Sequence, residues 1–282
     1  MEARTIDQRV DIGHVHLKVA DLDRALDFYC GVLGFELQIR YGEEAAFVSA
    51  GGYHHPLGLN TWESKGGSPS PPGTTGLYHV ALLVPDRPAL ARFLAHVARE
   101  GIPLEGLSDH AVSEAIYLRD PDRHGIEVYA DRPRETWEGH VGELMTTLPL
   151  DVDDLLAQAD GGFDGLPDGT RMGHVHFRVR NVDETVGFWR ELAGMGLMAQ
   201  LGPMAAFLSA GGYHHHVGAN TWETRGAPPA PAGTARLRHA TIVLPDEAER
   251  DRLAAAAGDA EEREDGVLVR DPSGNGILLS AR

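Results

Sequence analysis

The chain repeats itself, and that repeat limits its possible folds more than any other feature. "GHVHLKVADLDRALDFYCGVLGF" at 13–35 returns as "GHVHFRVRNVDETVGFWRELAGM" at 173–195. "AAFVSAGGYHHPLGLNTWE" at 45–63 returns as "AAFLSAGGYHHHVGANTWE" at 205–223, again 160 residues later. A tandem duplication at this interval means that each half builds the same supersecondary units, whose apolar faces are buried against neighbouring units.

A weaker repeat lies inside each half. "LYHVALLVPD" (77–86) and "LRHATIVLPD" (237–246) open as "IGHVHLKVAD" (12–21) does, and the step from His14 to His79 is 65 residues, as is that from His174 to His239. The chain therefore reads as four modules of about 55 to 65 residues. Each begins with an alternating strand, passes an acidic helix start and an amphipathic helix, and ends in three shorter strand segments set apart by Gly, Asn, Asp and Pro. In the first module Asp21 or Asp23 suits a helix N-cap, Leu22, Leu26, Tyr29 and Leu33 recur at helical spacing, and Gly34 ends the helix. The fold class expected is α+β, four βαβββ modules. Residues 1–131 and 173–282 read as two domains of two modules each, joined by a linker at 132–172 in which "VDDLLAQA" predicts a short helix.

On the opening strand His14, His16 and Lys18 share one face, and Val15, Leu17 and Val19 the other. His174 and His176 repeat the pattern. Such a strand fits between an apolar core and a polar cavity. A single histidine so placed more often lines a wet surface than binds an ion, but His14, His79, His174 and His239 fill one slot four times. Trp62 and Trp222 read as packing or cavity wall, Cys30 as helix packing, and 246–265 as a solvated helix and loop.

Composition narrows the partners. With 42 acidic and 25 basic residues the net charge is -17, which repels phosphate backbones and anionic lipid surfaces, so no nucleic acid is expected. No apolar run approaches the roughly 18 residues that would cross a bilayer, so no membrane partner is expected. One cysteine and no leader segment point to a cytoplasmic protein. Homo-oligomerisation is left open.

Four βαβββ modules with histidine-bearing first strands resemble the vicinal-oxygen-chelate superfamily of glyoxalase I, bleomycin-resistance proteins and type I extradiol dioxygenases. The resemblance implies two cup-shaped, eight-stranded sheets, with the first-strand histidine slot as a metal-ligand position. It places a second ligand on the last strand of a module, where "HGIEVYAD" supplies Glu127 but the matching "NGILLSAR" supplies Leu278. The fourth module also has Leu268 where the second has Tyr117, and lacks a segment for a counterpart of His110. One cup is thus expected to be complete and the other degenerate. His110, Ile116-Tyr117, Asp120-Pro121 and Glu127 resemble the extradiol dioxygenase signature, with Ser108 and Arg123 as departures, and the whole is most like the two-domain bacterial catechol 2,3-dioxygenases.

That resemblance implies Fe(II), with Mn(II) as the other candidate, held by two imidazoles and one carboxylate, the donor set of non-haem oxygen chemistry. His79 and Glu127 would be ligands. The third would be His174 if modules two and three share a cup, or His14 if modules pair within each half, and His216, present where the first copy has Pro56, tilts the choice to His174. Tyr117 would hydrogen-bond a substrate oxygen, while His110 and a histidine of the "GGYHH" hairpins would handle protons; His214 and His215, or in the other case His54 and His55, would lie near the metal, and His215 is the one assigned the proton-handling role. A small aromatic diol and O2 would be the substrates. A glyoxalase-type metalloenzyme and a non-catalytic metabolite binder are the alternatives.

Overall fold

The computed structural model describes residues 5–50 and 56–282, so His54 and His55 lie outside the described residues. Module one contributes β1 (Asp11–Lys18), α1 (Leu22–Gly31), β2 (Glu36–Tyr41), β3 (Ala45–Ser49) and β4 (Leu57–Asn60). Module two contributes β5 (Gly76–Leu83), α2 (Arg87–Arg99), β6 (Leu104–Asp109), β7 (Ser113–Arg119) and β8 (Gly125–Asp131). The segment between the halves holds α3 (Val141–Leu144), β9 (Leu148–Pro149) and α4 (Val152–Leu156), the last being the short helix expected there. Module three follows with β10 (Arg171–Arg178), α5 (Val182–Phe188), β11 (Gly196–Leu201), β12 (Ala205–Ser209) and β13 (Val217–Asn220). Module four closes the chain with β14 (Arg236–Leu244), α6 (Glu247–Ala257), β15 (Glu261–Arg263), β16 (Gly266–Arg270) and β17 (Gly276–Ala281).

Local chemistry sets the helix starts. The Asp21 carboxylate accepts from the Arg24 N–H at the head of α1, and Asp86, Asn181 and Asp246 do the same for α2, α5 and α6. α1 ends at Gly31, earlier than its apolar spacing suggests. Gly34 instead turns the chain in the left-handed region, where a Cβ would meet the Gly165 backbone at 2.5 Å. Beyond α6, part of the expected loop pairs as β15 with β16.

The strands form two sheets. One runs β15-β16-β17-β14-β1-β4-β3-β2, and the other β11-β12-β13-β10-β5-β8-β7-β6-β9. Each is mirrored about a central antiparallel pair of first strands, β1 with β14 and β10 with β5. Modules two and three therefore share one sheet, and modules one and four the other, so each sheet draws strands from both 1–131 and 173–282. The second sheet has nine strands because β9, from the connecting segment, adds itself to the β6 edge. Val15, Leu17 and Val19, with Val175, Phe177 and Val179, are buried in one apolar core that runs behind both sheets. The histidines of the same strands face the other way, into the cups. No helix among the described residues is long and apolar enough to cross a membrane.

Candidate metal centre

Register builds the site. His174 of β10 lies opposite Ala81 of β5, Ala81 opposite Glu127 of β8, and Glu127 opposite Tyr117 of β7. These four form one row across the sheet, and paired residues share a face. His79, two residues before Ala81, points the same way. Ala81 is the small member of the row, so the flanking side chains can converge above it.

They do converge. His79 Nε2 is 3.0 Å from Glu127 Oε2, His174 Nε2 is 3.2 Å from the same oxygen, and the two Nε2 atoms are 3.2 Å apart. All three residues are buried. Donors about 2.0–2.2 Å from one transition metal stand roughly 3 Å from each other when they occupy adjacent positions, so this trio has the spacing and chemistry of a facial metal-binding set. His14 is not part of it. It lies in the other sheet, beside His239.

Protonation fits the same picture. Burial alone would push the Glu127 carboxyl up, but attraction and hydrogen bonding from His174 and His79 hold it well below the usual carboxylate range. Burial pushes His174 down to about 4, against the pull of Glu127. An anionic oxygen and an unprotonated imidazole are the forms that bind a metal.

His110 and Tyr117 stand at the side of the cup. His110 Nδ1 is 2.7 Å from the Thr146 carbonyl oxygen, which can only accept, so Nδ1 carries the proton. Nε2 is then an acceptor, and the Tyr117 hydroxyl donates to it at 2.7 Å. Burial, with Glu127 nearby, raises the Tyr117 phenol well above its ordinary value and keeps it neutral. A tight turn presents His110: its N–H bonds the Ser113 carbonyl, and Ala111 is left-handed with φ 64°. Arg123 is also left-handed at φ 66°, a backbone conformation in which glycine would be less strained. The loop still closes there, because the Asp120 carboxylate accepts from the Asp122 and His124 N–H groups and from His124 Nδ1. Asp120-Pro121 is thus a loop organiser, and Asp271 bonds Ser273 and Asn275 in the same way in module four.

The β12–β13 hairpin delivers His215, whose ring centroid is 3.9 Å from that of His174. A chain of hydrogen bonds assigns its tautomer. The Asp131 carboxylate accepts from His214 Nε2 at 2.8 Å, so His214 Nδ1 accepts in turn from His215 Nδ1 at 2.9 Å. His215 Nε2 is left as the basic nitrogen, and burial, followed by His174 and its other neighbours, lowers its pKa well below the ordinary value. His216 has a different use: its Nδ1 accepts the Ala210 N–H inside the hairpin.

Asp131, Tyr129 and Tyr213 are support groups that the sequence reading passed over, whereas His214 was among the hairpin histidines it placed near the metal. Tyr129 and Tyr213 share a hydroxyl–hydroxyl bond of 2.8 Å, and Tyr213 also donates to Asp131 at 3.2 Å. A signal existed, since Glu127, Tyr129 and Asp131 alternate along β8 and share its cup face. Beside them Gly173 is obligatory, because a Cβ there would lie 1.9 Å from the Tyr129 hydroxyl oxygen. Gly173→Ala is expected to cost about 1–3 kcal/mol through overpacking and to break the Tyr129–Tyr213 bond. Chemical denaturation would measure the first effect, and an unchanged midpoint would contradict it.

The cup encloses a cavity of about 560 Å³ whose wall includes Tyr78, His176, Leu201, Phe207 and Trp222. Trp222 is half exposed and faces this space, so it is a wall residue rather than core packing. His176 is fixed by the Asn220 side-chain amide at 3.1 Å.

Two curled sheets with a His-His-Glu cluster in one cup define a class. The chain belongs to the glyoxalase/bleomycin resistance protein/dioxygenase superfamily, whose family model matches residues 11–128. Over 278 residues it is 41% identical to the catechol-2,3-dioxygenase of Bacillus subtilis (strain 168), spanning 95% of this chain and 96% of that one. It is also 27% identical over 139 residues to biphenyl-2,3-diol 1,2-dioxygenase 3 of Rhodococcus globerulus, 48% of this chain and 73% of that one. Glyoxalase I from Zea mays superposes with a TM-score of 0.59 at 16% identity, covering 96% of this chain and 92% of its own, a likeness of fold.

Proposed function

We infer that this protein is an extradiol dioxygenase that opens the ring of a catechol-like aromatic with O2, using Fe(II) held by His79, His174 and Glu127. The observation that carries this reading is the convergence of two imidazoles and one carboxylate within 3.2 Å of one another, beneath the His110–Tyr117 pair, in an open cup. The near-full-length likeness to a catechol-2,3-dioxygenase supports it. The cluster contains a single carboxylate, which disfavours a glyoxalase-type set with two glutamates.

Bound Fe(II) would supply the redox chemistry that lets dioxygen react with a coordinated diol. The protein's own groups do the rest. Tyr117, neutral and anchored on His110, presents its phenol to a diol oxygen in the cup. His215, with Nε2 unprotonated, can take a proton from an incoming hydroxyl and return it to the opened product, and the bond to His214 holds its ring in place for both steps. The aromatic wall of Tyr78, Phe207 and Trp222 suits a planar ring. Cleavage next to the two hydroxyls rather than between them consumes one O2 per ring, with both oxygen atoms entering the product.

The test is oxygen uptake by protein loaded anaerobically with Fe(II) and given catechol, with the yellow ring-opened product followed in the same cuvette. Matched uptake and product are expected. Iron retained at one per chain without uptake on a panel of substituted catechols would overturn the reading. Tyr117→Phe is expected to keep its iron and to lose roughly 10-fold in kcat, the worth of one hydrogen bond of about 1.4 kcal/mol between a diol hydroxyl and the Tyr117 oxygen. Unchanged kinetics would reduce Tyr117 to packing.

A further inference from the structure

The second cup, built by modules one and four, has lost the carboxylate and the tyrosine. Leu278 stands on β17 where Glu127 stands on β8, and Leu268 on β16 where Tyr117 stands on β7. Its histidines nevertheless converge. β1 pairs with β14 so that His16 lies opposite His239, and His14, two residues away on β1, faces the same cavity. His14 Nε2 and His239 Nε2 are 3.3 Å apart, and a donor nitrogen of each of the three residues lies within 4.8 Å of the other two.

We propose that this second cup is a metal site in its own right, in which His14, His16 and His239 bind a divalent cation of the zinc type. Nitrogens about 2.0–2.1 Å from a tetrahedral ion are roughly 3.3 Å apart, the separation already present between His14 and His239. His16 projects from the same strand as His14, and one of its ring nitrogens lies within 4.8 Å of theirs. Packing does not require imidazoles at this depth, since Leu268 and Leu278 fill neighbouring places on the same wall.

The donor chemistry separates the two cups. Three neutral imidazoles with no carboxylate favour Zn(II) by ligand type, whereas the His-His-Glu set of the first cup adds an anionic oxygen donor. Three protein ligands leave a tetrahedral ion one open position, as in catalytic rather than structural zinc sites. That position faces a cavity of about 700 Å³. On its wall the Arg238 guanidinium stacks over Trp62 at 4.4 Å, and one of its nitrogens is buried without a hydrogen-bond partner among the described residues. An anionic oxygen is therefore the exogenous ligand best matched to the open position. The proposal goes beyond the dioxygenase reading and does not depend on it.

Zn(II) alone is the probe. Full-length protein stripped with chelator, reloaded with Zn(II) and freed of unbound ion is analysed by elemental mass spectrometry. Wild type is expected to retain two ions per chain, Glu127→Ala one, His239→Ala one, and the double variant none. His239→Ala reloaded with Fe(II) should still consume oxygen with catechol, so the failure of one site is distinguishable from that of the other. Glu127→Ala retaining no ion, or His239→Ala retaining as many ions as wild type, would overturn the proposal. Should His239→Ala not fold, a zinc-edge anomalous difference map of wild-type crystals decides: a peak among His14, His16 and His239 supports the site, and a map without one removes it.

Discussion

Glu127→Ala is expected to lose bound iron and ring cleavage together. Glu127 is the one anionic donor of the His79–Glu127–His174 cluster, and it is buried. Substituting groups that only support a ligand costs roughly 10–100-fold in affinity or activity, and removing a ligand outright should exceed that. Two neutral imidazoles remain, with no negative charge to offset dehydration of the cation. Iron content after gel filtration and oxygen uptake measure both consequences. A variant that keeps stoichiometric iron and wild-type turnover would dismantle the assignment of the site. Glu127→Asp separates charge from reach: it keeps the anion on a shorter side chain, and is expected to bind iron weakly with reduced turnover.

The second large effect is acid lability of the metal-free protein. Burial pushes His174 to about 4, and burial with unfavourable neighbouring charge pushes His216 and His239 to about 3. In the unfolded chain each titrates near the ordinary value of 6.5. Below that value the unfolded state binds protons that the folded state refuses, so acid favours unfolding. The stabilising contribution is complete above pH 6.5 and is lost as pH falls towards 4 and then 3. Each such histidine costs about 1.4 kcal/mol per pH unit inside this window. Three together cost about 4 kcal/mol per unit, against a total stability of about 5–15 kcal/mol for a typical domain. His176 and His215, also lowered by burial, act in the same direction. Urea unfolding midpoints in chelator should drop steeply from pH 7 to pH 5, and added metal, which competes with protons for the same nitrogens, should restore them. Midpoints independent of pH over this range would contradict the buried, neutral state of these residues.

Much of the candidate site was legible before any fold was known, and the reason is local. Strand alternation puts His14, His16, His174 and His176 on the face opposite Val15, Leu17, Val175 and Phe177, because successive side chains point to opposite sides of a strand. Glu127 stood out because its counterpart is Leu278, a contrast visible between two copies of one module. The Asp120-Pro121 turn and the helix caps were equally local. The support chain behind His215 was not legible, because Asp131 and His214 lie far apart in sequence and meet only through the tertiary fold.

The sequence by itself determined four βαβββ units, their cup-facing histidines, and the presence of Glu127 in only one last strand. It could not choose partners for those units. All four first strands carry similar patterns and offer similar backbone edges, so local propensity is the same whether β5 pairs with β1 or with β10. The choice falls to long-range packing and register, in which β5 takes β10 and leaves β1 to β14. That choice brought His174 to Glu127 and sent His14 to the other cup, while His216, despite its part in the sequence argument, is a bond acceptor inside its own hairpin. A one-residue slip in either central pair would turn the histidines from the cup into the core. The site is therefore a property of the register between modules as much as of the residues they carry.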